Sequence, residues 1–128
     1  MANLLQQADD WLAGMFQRHA SSEVVYRWSG GSVNLQATMG RTRFELNTGD
    51  GVLTELESRD FIVAWEEFRA KVGSEPKPGD RIEEFGPEAG PAECVYEVMS
   101  PGDGPCWRFS DLHRRLIRIH TKLVQSKQ

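Results

Sequence analysis

Apolar and polar residues alternate with a period of two along most of the chain after residue 23, and this pattern limits the available folds most strongly. The clearest case is VNLQATM at 33–39, in which every second residue is apolar. Such alternation is typical of β-strands that bury one face. Comparable segments, separated by turn signals, occur at 24–28, 41–48, 52–58, 60–63, 81–85, 94–99 and 115–123. The sequence therefore predicts a mainly β fold, a small β-barrel or sandwich of about seven short antiparallel strands, with a strand break at Gly40.

The first twenty residues follow a different period. Their apolar side chains recur at intervals of three, four and seven residues, which predicts an amphipathic N-terminal helix over 1–20. We expect this helix to lie on the sheet. A helix that binds a partner is the second interpretation.

The remaining organisation is simple. The length of 128 residues favours one domain over 1–128, with the barrel at 23–124. Residues 64–72 are expected to form one or two helical turns. Residues 73–93 are rich in proline and glycine and predict a loop around the short strand 81–85, with a rigid turn at PKPGD, 76–80.

Composition narrows the class of protein. The hydrophobic fraction of 39% and charged fraction of 27% are those of an ordinary globular chain. No apolar run approaches the ~20 residues of a membrane span, and acids stand where a signal peptide needs lysine or arginine. We expect no membrane association. Cys94 and Cys106 fit no metal-ligand spacing, so reduced thiols are favoured and a disulfide stays open.

Catalytic and cofactor signatures are weak. Ser110, Asp111 and His113 stand side by side in SDLH, but neighbours on an extended segment point apart, so they do not predict a catalytic triad. No acid or cysteine completes a metal-ligand set with His113 and His120. No glycine-rich phosphate loop opens a helix. The sequence predicts no enzyme and no cofactor.

Charge is distributed unevenly. Residues 106–128 carry six Lys and Arg against one acid, whereas residues 50–103 carry fourteen acids against five bases. In the segment 115–123, the alternation predicts two faces. The residues expected to face inward are Ile117, Ile119, Thr121 and Leu123, and those expected to face outward are Leu116, Arg118, His120 and Lys122. The outer face is either a solvated, charge-protected edge or a contact surface for an acidic neighbour or phosphate.

Four segments carry a resemblance to a known family. They are TRFELNTGDGVLTELESRDFIV (42–63), PKPGDRIEE (76–84), VYEVM (95–99) and PCWRFSDLHRRLIRIHTKLV (105–124). In this order they resemble the tailed-bacteriophage head–tail joining proteins (head-closure or head–tail adaptor family), over roughly residues 24–124. The resemblance implies a structural virion protein whose β-barrel assembles as a homo-oligomeric ring in the neck, between portal and tail. Its partners would be the portal or adaptor protein and tail proteins, with packaged DNA in the channel.

This resemblance and the charge pattern together suggest how copies meet. We expect the basic 114–122 surface of one copy to meet the acidic 50–97 surface of the next. The candidate interface residues are Arg115, Arg118 and Lys122 on the basic side and Glu55, Glu57, Glu83 and Glu84 on the acidic side. The alternatives are a tail terminator or completion protein, a monomeric nucleic-acid-binding β-barrel module and a small enzyme.

Overall fold

Seven antiparallel strands and one short helix make up the part of the chain that the structure describes. The computed structural model describes residues 22–47, 53–86, 90–102 and 104–126, together with Gly49 and Gly51. The elements are β1 Ser22–Trp28, β2 Gly31–Asn47, β3 Leu53–Ala64, α1 Trp65–Val72, β4 Arg81–Glu84, β5 Cys94–Val98, β6 Trp107–Phe109 and β7 Leu116–Ser126. The helix predicted at 1–20 lies outside the described residues.

The sheet closes on itself. Its strand order is β3-β2-β1-β4-β5-β7-β6, and β3 also pairs with β7. Six strands therefore form a closed ring of antiparallel neighbours. β6 pairs with the first half of β7, and β5 pairs with the second half along the same side. The predicted mainly β class is confirmed, and of the two architectures the closed barrel is the one formed.

Alternate residues of the strands fill the barrel. The buried apolar core draws on all strands except β6, with α1 covering one end. Its largest fully buried apolar members are Tyr26, Leu35, Phe61, Phe68, Ile82, Ile117 and Ile119. Burial of this apolar surface is the dominant stabilising term, and closure leaves most of the sheet without free edges.

The predicted break at Gly40 is wrong, because β2 runs without interruption from Gly31 to Asn47. Gly40 leaves room for the Arg118 side chain, because a Cβ atom at this position would lie 3.3 Å from Nη1 of Arg118. The segments 52–58 and 60–63 likewise join into the single strand β3. β6 had no clear alternation and was not predicted.

The helical turns predicted at 64–72 are confirmed as α1. Phe68 is the buried residue of this helix, and its ring packs edge-on against Tyr26 at a centroid distance of 4.9 Å. The helix ends at Gly73, whose φ of 82° is a conformation that glycine adopts without a Cβ penalty. α1 thus closes the end of the barrel at which β3 finishes.

The PKPGD turn is also confirmed and is tied to the core. Gly79 has φ 96°, and the N–H of Asp80 donates to the carbonyl of Lys77 at 3.1 Å. The Tyr26 hydroxyl donates to Asp80 Oδ2 at 2.5 Å. Burial, reinforced by this hydrogen bond, raises the pKa of Tyr26 well above its ordinary value. The Cys106 thiol donates to the carbonyl of Pro76 at 3.3 Å, so the loop is anchored at two points.

Two further features of the described residues bear on the sequence predictions. Cys94 and Cys106 are free thiols, and burial raises the pKa of Cys106. Within these residues no helix has the length and apolar character needed to cross a bilayer.

Candidate interaction surface

A buried serine, aspartate and histidine meet where β3 lies between β2 and β7. Asp60 stands opposite Gly40 on one side and His120 on the other. Its Oδ1 accepts a hydrogen bond from Ser58 Oγ at 2.6 Å and lies 2.9 Å from His120 Nδ1. Its Oδ2 accepts from Arg118 Nη1 at 2.9 Å and from the Thr42 hydroxyl. We name these five side chains, Thr42, Ser58, Asp60, Arg118 and His120, the Asp60 cluster.

The electrostatics of the cluster favour an ionised Asp60. Burial of the carboxyl opposes ionisation, but hydrogen bonds from His120, Ser58, Thr42 and Arg118 outweigh it and lower the pKa of Asp60 to about 2. An ionised carboxylate only accepts hydrogen bonds, so His120 Nδ1 is the donor in this contact. The Asp60 carboxylate on β3 therefore links β2, through Thr42, to β7, through Arg118 and His120.

The Asp60 cluster lacks the geometry of a catalytic triad. In a triad the serine contacts one imidazole nitrogen and the acid contacts the other. Here Ser58 Oγ and Asp60 Oδ1 both approach His120 Nδ1, at 3.4 and 2.9 Å. Ser58 and Asp60 are fully buried and His120 is 2% exposed. The arrangement can hold strands together, and it presents no nucleophile to a substrate. Among the described residues, no group of His, Cys, Asp and Glu is placed to hold a metal ion.

The prediction of a solvated outer face at His120 is wrong. His120 does alternate with Ile119, but Phe44 packs edge-on against the imidazole at a centroid distance of 5.2 Å, and Asp60 Oδ1 lies 2.9 Å from its Nδ1. Leu123 was predicted to face inward and is 53% exposed. β7 leaves β3 after Thr121, so its last residues no longer face the barrel interior.

The SDLH segment lies in a loop between β6 and β7, which we name the Leu112 loop, and hydrogen bonds hold the backbone of this loop. Asp111 Oδ1 accepts the backbone N–H groups of Arg115 and Leu116 at 2.9 and 2.8 Å. Arg114 takes φ 58°, a conformation that costs energy for a residue with a side chain. The loop places Leu112 at its tip, 82% exposed. An apolar side chain held outward by a stabilised backbone is suited to docking.

Aromatic and basic side chains gather beside this loop. Trp65 of α1 stacks on Trp107 at 5.2 Å and meets Phe109 edge-on at 5.7 Å. The guanidinium groups of Arg69 and Arg114 lie over Trp65 and Phe109, at 5.9 and 5.4 Å. Trp107 and Phe109 flank Arg108 in the sequence, whereas Trp65 joins them only through the fold. Tryptophan and arginine are among the residue types that contribute most to binding at protein interfaces.

The predicted interface residues separate into two groups. Several are already paired within the chain: Arg118 with Asp60, Glu83 with Arg27, Glu84 with Arg59, and Glu57 with both Arg41 and Arg43. Arg115 is half-buried beside Asp111. Glu55 is exposed on β3, and the Lys122 side chain is 59% exposed, with its Nζ 4.0 Å from Glu97. The sequence did not identify Leu112 or Trp65, because exposure and proximity depend on the fold.

Comparison with protein families gives a match over nearly the whole chain. The family model described as "Phage head-tail joining protein" matches residues 2–128. No curated protein matches the chain. The matched range includes the barrel, the Leu112 loop and both cysteines.

Proposed function

Since this chain belongs to the phage head-tail joining protein family, we propose that it is a structural component of the virion neck that assembles as a ring between the portal and the tail. Its neighbours are then the portal or adaptor protein on the head side and tail proteins on the other side. The ring surrounds the channel through which packaged DNA passes. The contribution of this chain is shape and contact, with no chemical step.

The family match carries this proposal, and the Leu112 loop supports it. A joining protein has to present fixed contact groups, because ordering a flexible loop on docking costs binding free energy. The Asp111 hydrogen bonds to the backbone of Arg115 and Leu116 supply that order in advance.

The decisive experiment removes the gene from a phage that carries it. We expect DNA-filled heads and complete tails that stay separate, and we expect the protein supplied from a plasmid to restore joined particles. Electron microscopy of the lysates measures the joined fraction. Normal joining in the absence of the gene would contradict the proposed function.

A substitution at the loop tip tests the contact surface. Because Leu112 is 82% exposed, Leu112→Ser should change the free energy of unfolding by less than about 0.5 kcal/mol. The same change removes an apolar anchor of the kind that contributes about 2 kcal/mol or more at an interface, so the joined fraction should fall. Complementation of the deletion phage measures it.

The matched control is Glu75→Ser, an exposed substitution in another loop of the same molecule. It should complement like the unaltered protein. Full complementation by Leu112→Ser would remove this loop from the contact surface.

A monomeric nucleic-acid-binding module is the second candidate, favoured by the Trp65, Trp107 and Phe109 rings beside Arg69 and Arg114. Aromatic rings among bases are what single-strand binders use to stack bases. Titration of the isolated protein with single-stranded DNA, followed by tryptophan fluorescence at several salt concentrations, distinguishes the two. Tight binding that weakens steeply with salt supports this candidate.

A further inference from the structure

Two strand edges of the barrel are open on the same side of the molecule. β3 and β7 pair from Ala64–Leu116 to Arg59–Thr121 and then separate. Beyond that point, residues 53–58 keep β2 on one side, and residues 122–126 keep β5 on one side. Within the described ranges no strand pairs with their other sides. We name these the β3 edge (53–58) and the β7 edge (122–126).

The backbone groups of alternate residues point out of these edges. The N–H of Trp65 donates to the Arg115 carbonyl, which shows that odd-numbered residues face the partner strand at the β3–β7 ladder. The N–H and carbonyl of His120 bond instead to Cys106 and Met99, on the opposite side of β7. Continued along both strands, this alternation directs the N–H and carbonyl of Glu55 and of Leu123 outward. An edge of this kind is a template for pairing with another strand.

Exposed apolar side chains flank the two edges. Leu53 is 66% exposed on the β3 edge, and Leu123 and Val124 are 53% and 40% exposed on the β7 edge. They are three of the five large apolar side chains that are well exposed in the described part of the chain. Solvated apolar groups beside unpaired backbone favour a contact that covers both.

Charge distinguishes the two edges from each other. The β3 edge carries Glu55 and Glu57, whereas Lys122 is the charged residue of the β7 edge. A cleft of about 360 Å³ lies between them, lined in part by Glu57, Tyr96 and Lys122. Of the seven interface residues predicted from the sequence, Glu55, Glu57 and Lys122 are the ones that lie on these two open edges.

We propose that the β7 edge of one copy pairs with the β3 edge of a second copy, so that the sheet continues from subunit to subunit. Backbone hydrogen bonds between edges supply affinity, while the acidic charge of the β3 edge and the basic charge of the β7 edge favour this pairing over contacts between two like edges. Because the two edges are different surfaces, the contact is head-to-tail, and such contacts close into rings when the rotation between copies permits. The inference rests on the proposed ring and identifies its subunit contact.

Proline substitutions on the open edges test the pairing. Glu55→Pro and Leu123→Pro each remove an outward N–H, while the ladders inside the barrel keep their donors. We expect both variants to keep a cooperative thermal transition but to lower the assembled fraction about tenfold or more, since each loses a hydrogen bond and leaves its partner group unpaired. Complementation of the deletion phage and mass photometry of the purified protein measure this.

The matched controls are Glu55→Ala and Leu123→Thr, which change the same side chains and keep the N–H. They measure what the two side chains contribute to the contact, and each proline variant should assemble about tenfold less than its own comparator, because only the proline removes the N–H. Equal assembly by folded proline variants would overturn the edge pairing and leave the neck function standing. Normal joining by the deletion phage would instead contradict the neck function itself.

A cross-link keeps the inference testable if a proline variant does not fold. Thr54→Cys and Val124→Cys are placed in separate chains, in a Cys94→Ser background, and both chains are supplied to one infection. Head-to-tail pairing predicts a covalent dimer on non-reducing gels of the joined particles only when both variants are present. A dimer from one variant alone, or joined particles without any dimer, would contradict the proposed pairing.

Discussion

Asp60→Ala should lower the free energy of unfolding by about 3–5 kcal/mol, which is the usual cost of removing one partner from a buried ion pair. Asp60 is fully buried, and the Arg118 side chain that contacts it is only 20% exposed. Without the carboxylate, a guanidinium and the Nδ1–H of His120 lose their acceptor in a place that water does not easily reach. Urea unfolding at neutral pH measures the loss.

The pH dependence of the free energy of unfolding shows whether the ionised carboxylate of Asp60 is the stabilising group. The pKa of Asp60 falls from an ordinary 3.8 to about 2 on folding. Its ionised form therefore stabilises the fold above pH ~4, and this contribution, about 2 kcal/mol, is lost as the pH falls towards 2. Asp60→Ala should lack this part of the acid slope. The exposed Glu45→Ala is the control and should change the free energy of unfolding by less than about 0.5 kcal/mol. An Asp60→Ala variant that unfolds like Glu45→Ala would show that the cluster contributes little.

Phe68→Ala should destabilise the protein by about 3–5 kcal/mol, the range for truncating a fully buried aromatic side chain. Phe68 is the residue of α1 that enters the core, where its ring packs edge-on against Tyr26. Truncation opens a cavity at the end of the barrel that α1 covers. Thermal and urea unfolding followed by circular dichroism measure the effect.

Arg69→Ala is the control for Phe68→Ala, since it lies on the exposed side of the same helix and alanine favours the helix at least as well. Its cost should stay below about 1 kcal/mol, the upper value of the interaction that Arg69 makes over the Trp65 ring at an exposed site. Equal losses from the two variants would indicate that α1 contributes to stability through its surface contacts and not through the buried ring.

Local patterns in the sequence were sufficient for the strand content and the tight turns. Alternation such as that at 33–39 depends only on which side of a pleat each residue faces. The PKPGD turn depends on the φ values that proline and glycine favour. The interruption predicted at Gly40 failed because the same residue type serves two purposes. A glycine can permit a turn, or it can leave room for a side chain from a distant strand, here Arg118.

The candidate surface was less accessible to sequence reasoning, since it depends on long-range pairing. His120 alternates correctly with Ile119, yet it is buried because Asp60 and Phe44, distant in sequence, meet it. Asp60 itself stands before the apolar run FIV, an unusual place for a charge. That position was the one signal in the sequence that pointed to a buried ion pair. The exposure of Leu112 follows from hydrogen bonds to Asp111 that no local pattern specifies.

The closing of the barrel by β7 has a consequence for how the protein reaches its native state. Thr121 must find Arg59 across a sequence separation of 62 residues, and barrels built from such distant pairings fold slowly, on a scale of about milliseconds to seconds. Until they meet, the edge of β3 that will face β7, from Arg59 to Ala64 with Phe61 and Val63 on it, lies unpaired. The period of greatest risk for aggregation therefore precedes the finished molecule, and a high rate of synthesis would favour misfolded aggregates over soluble subunits.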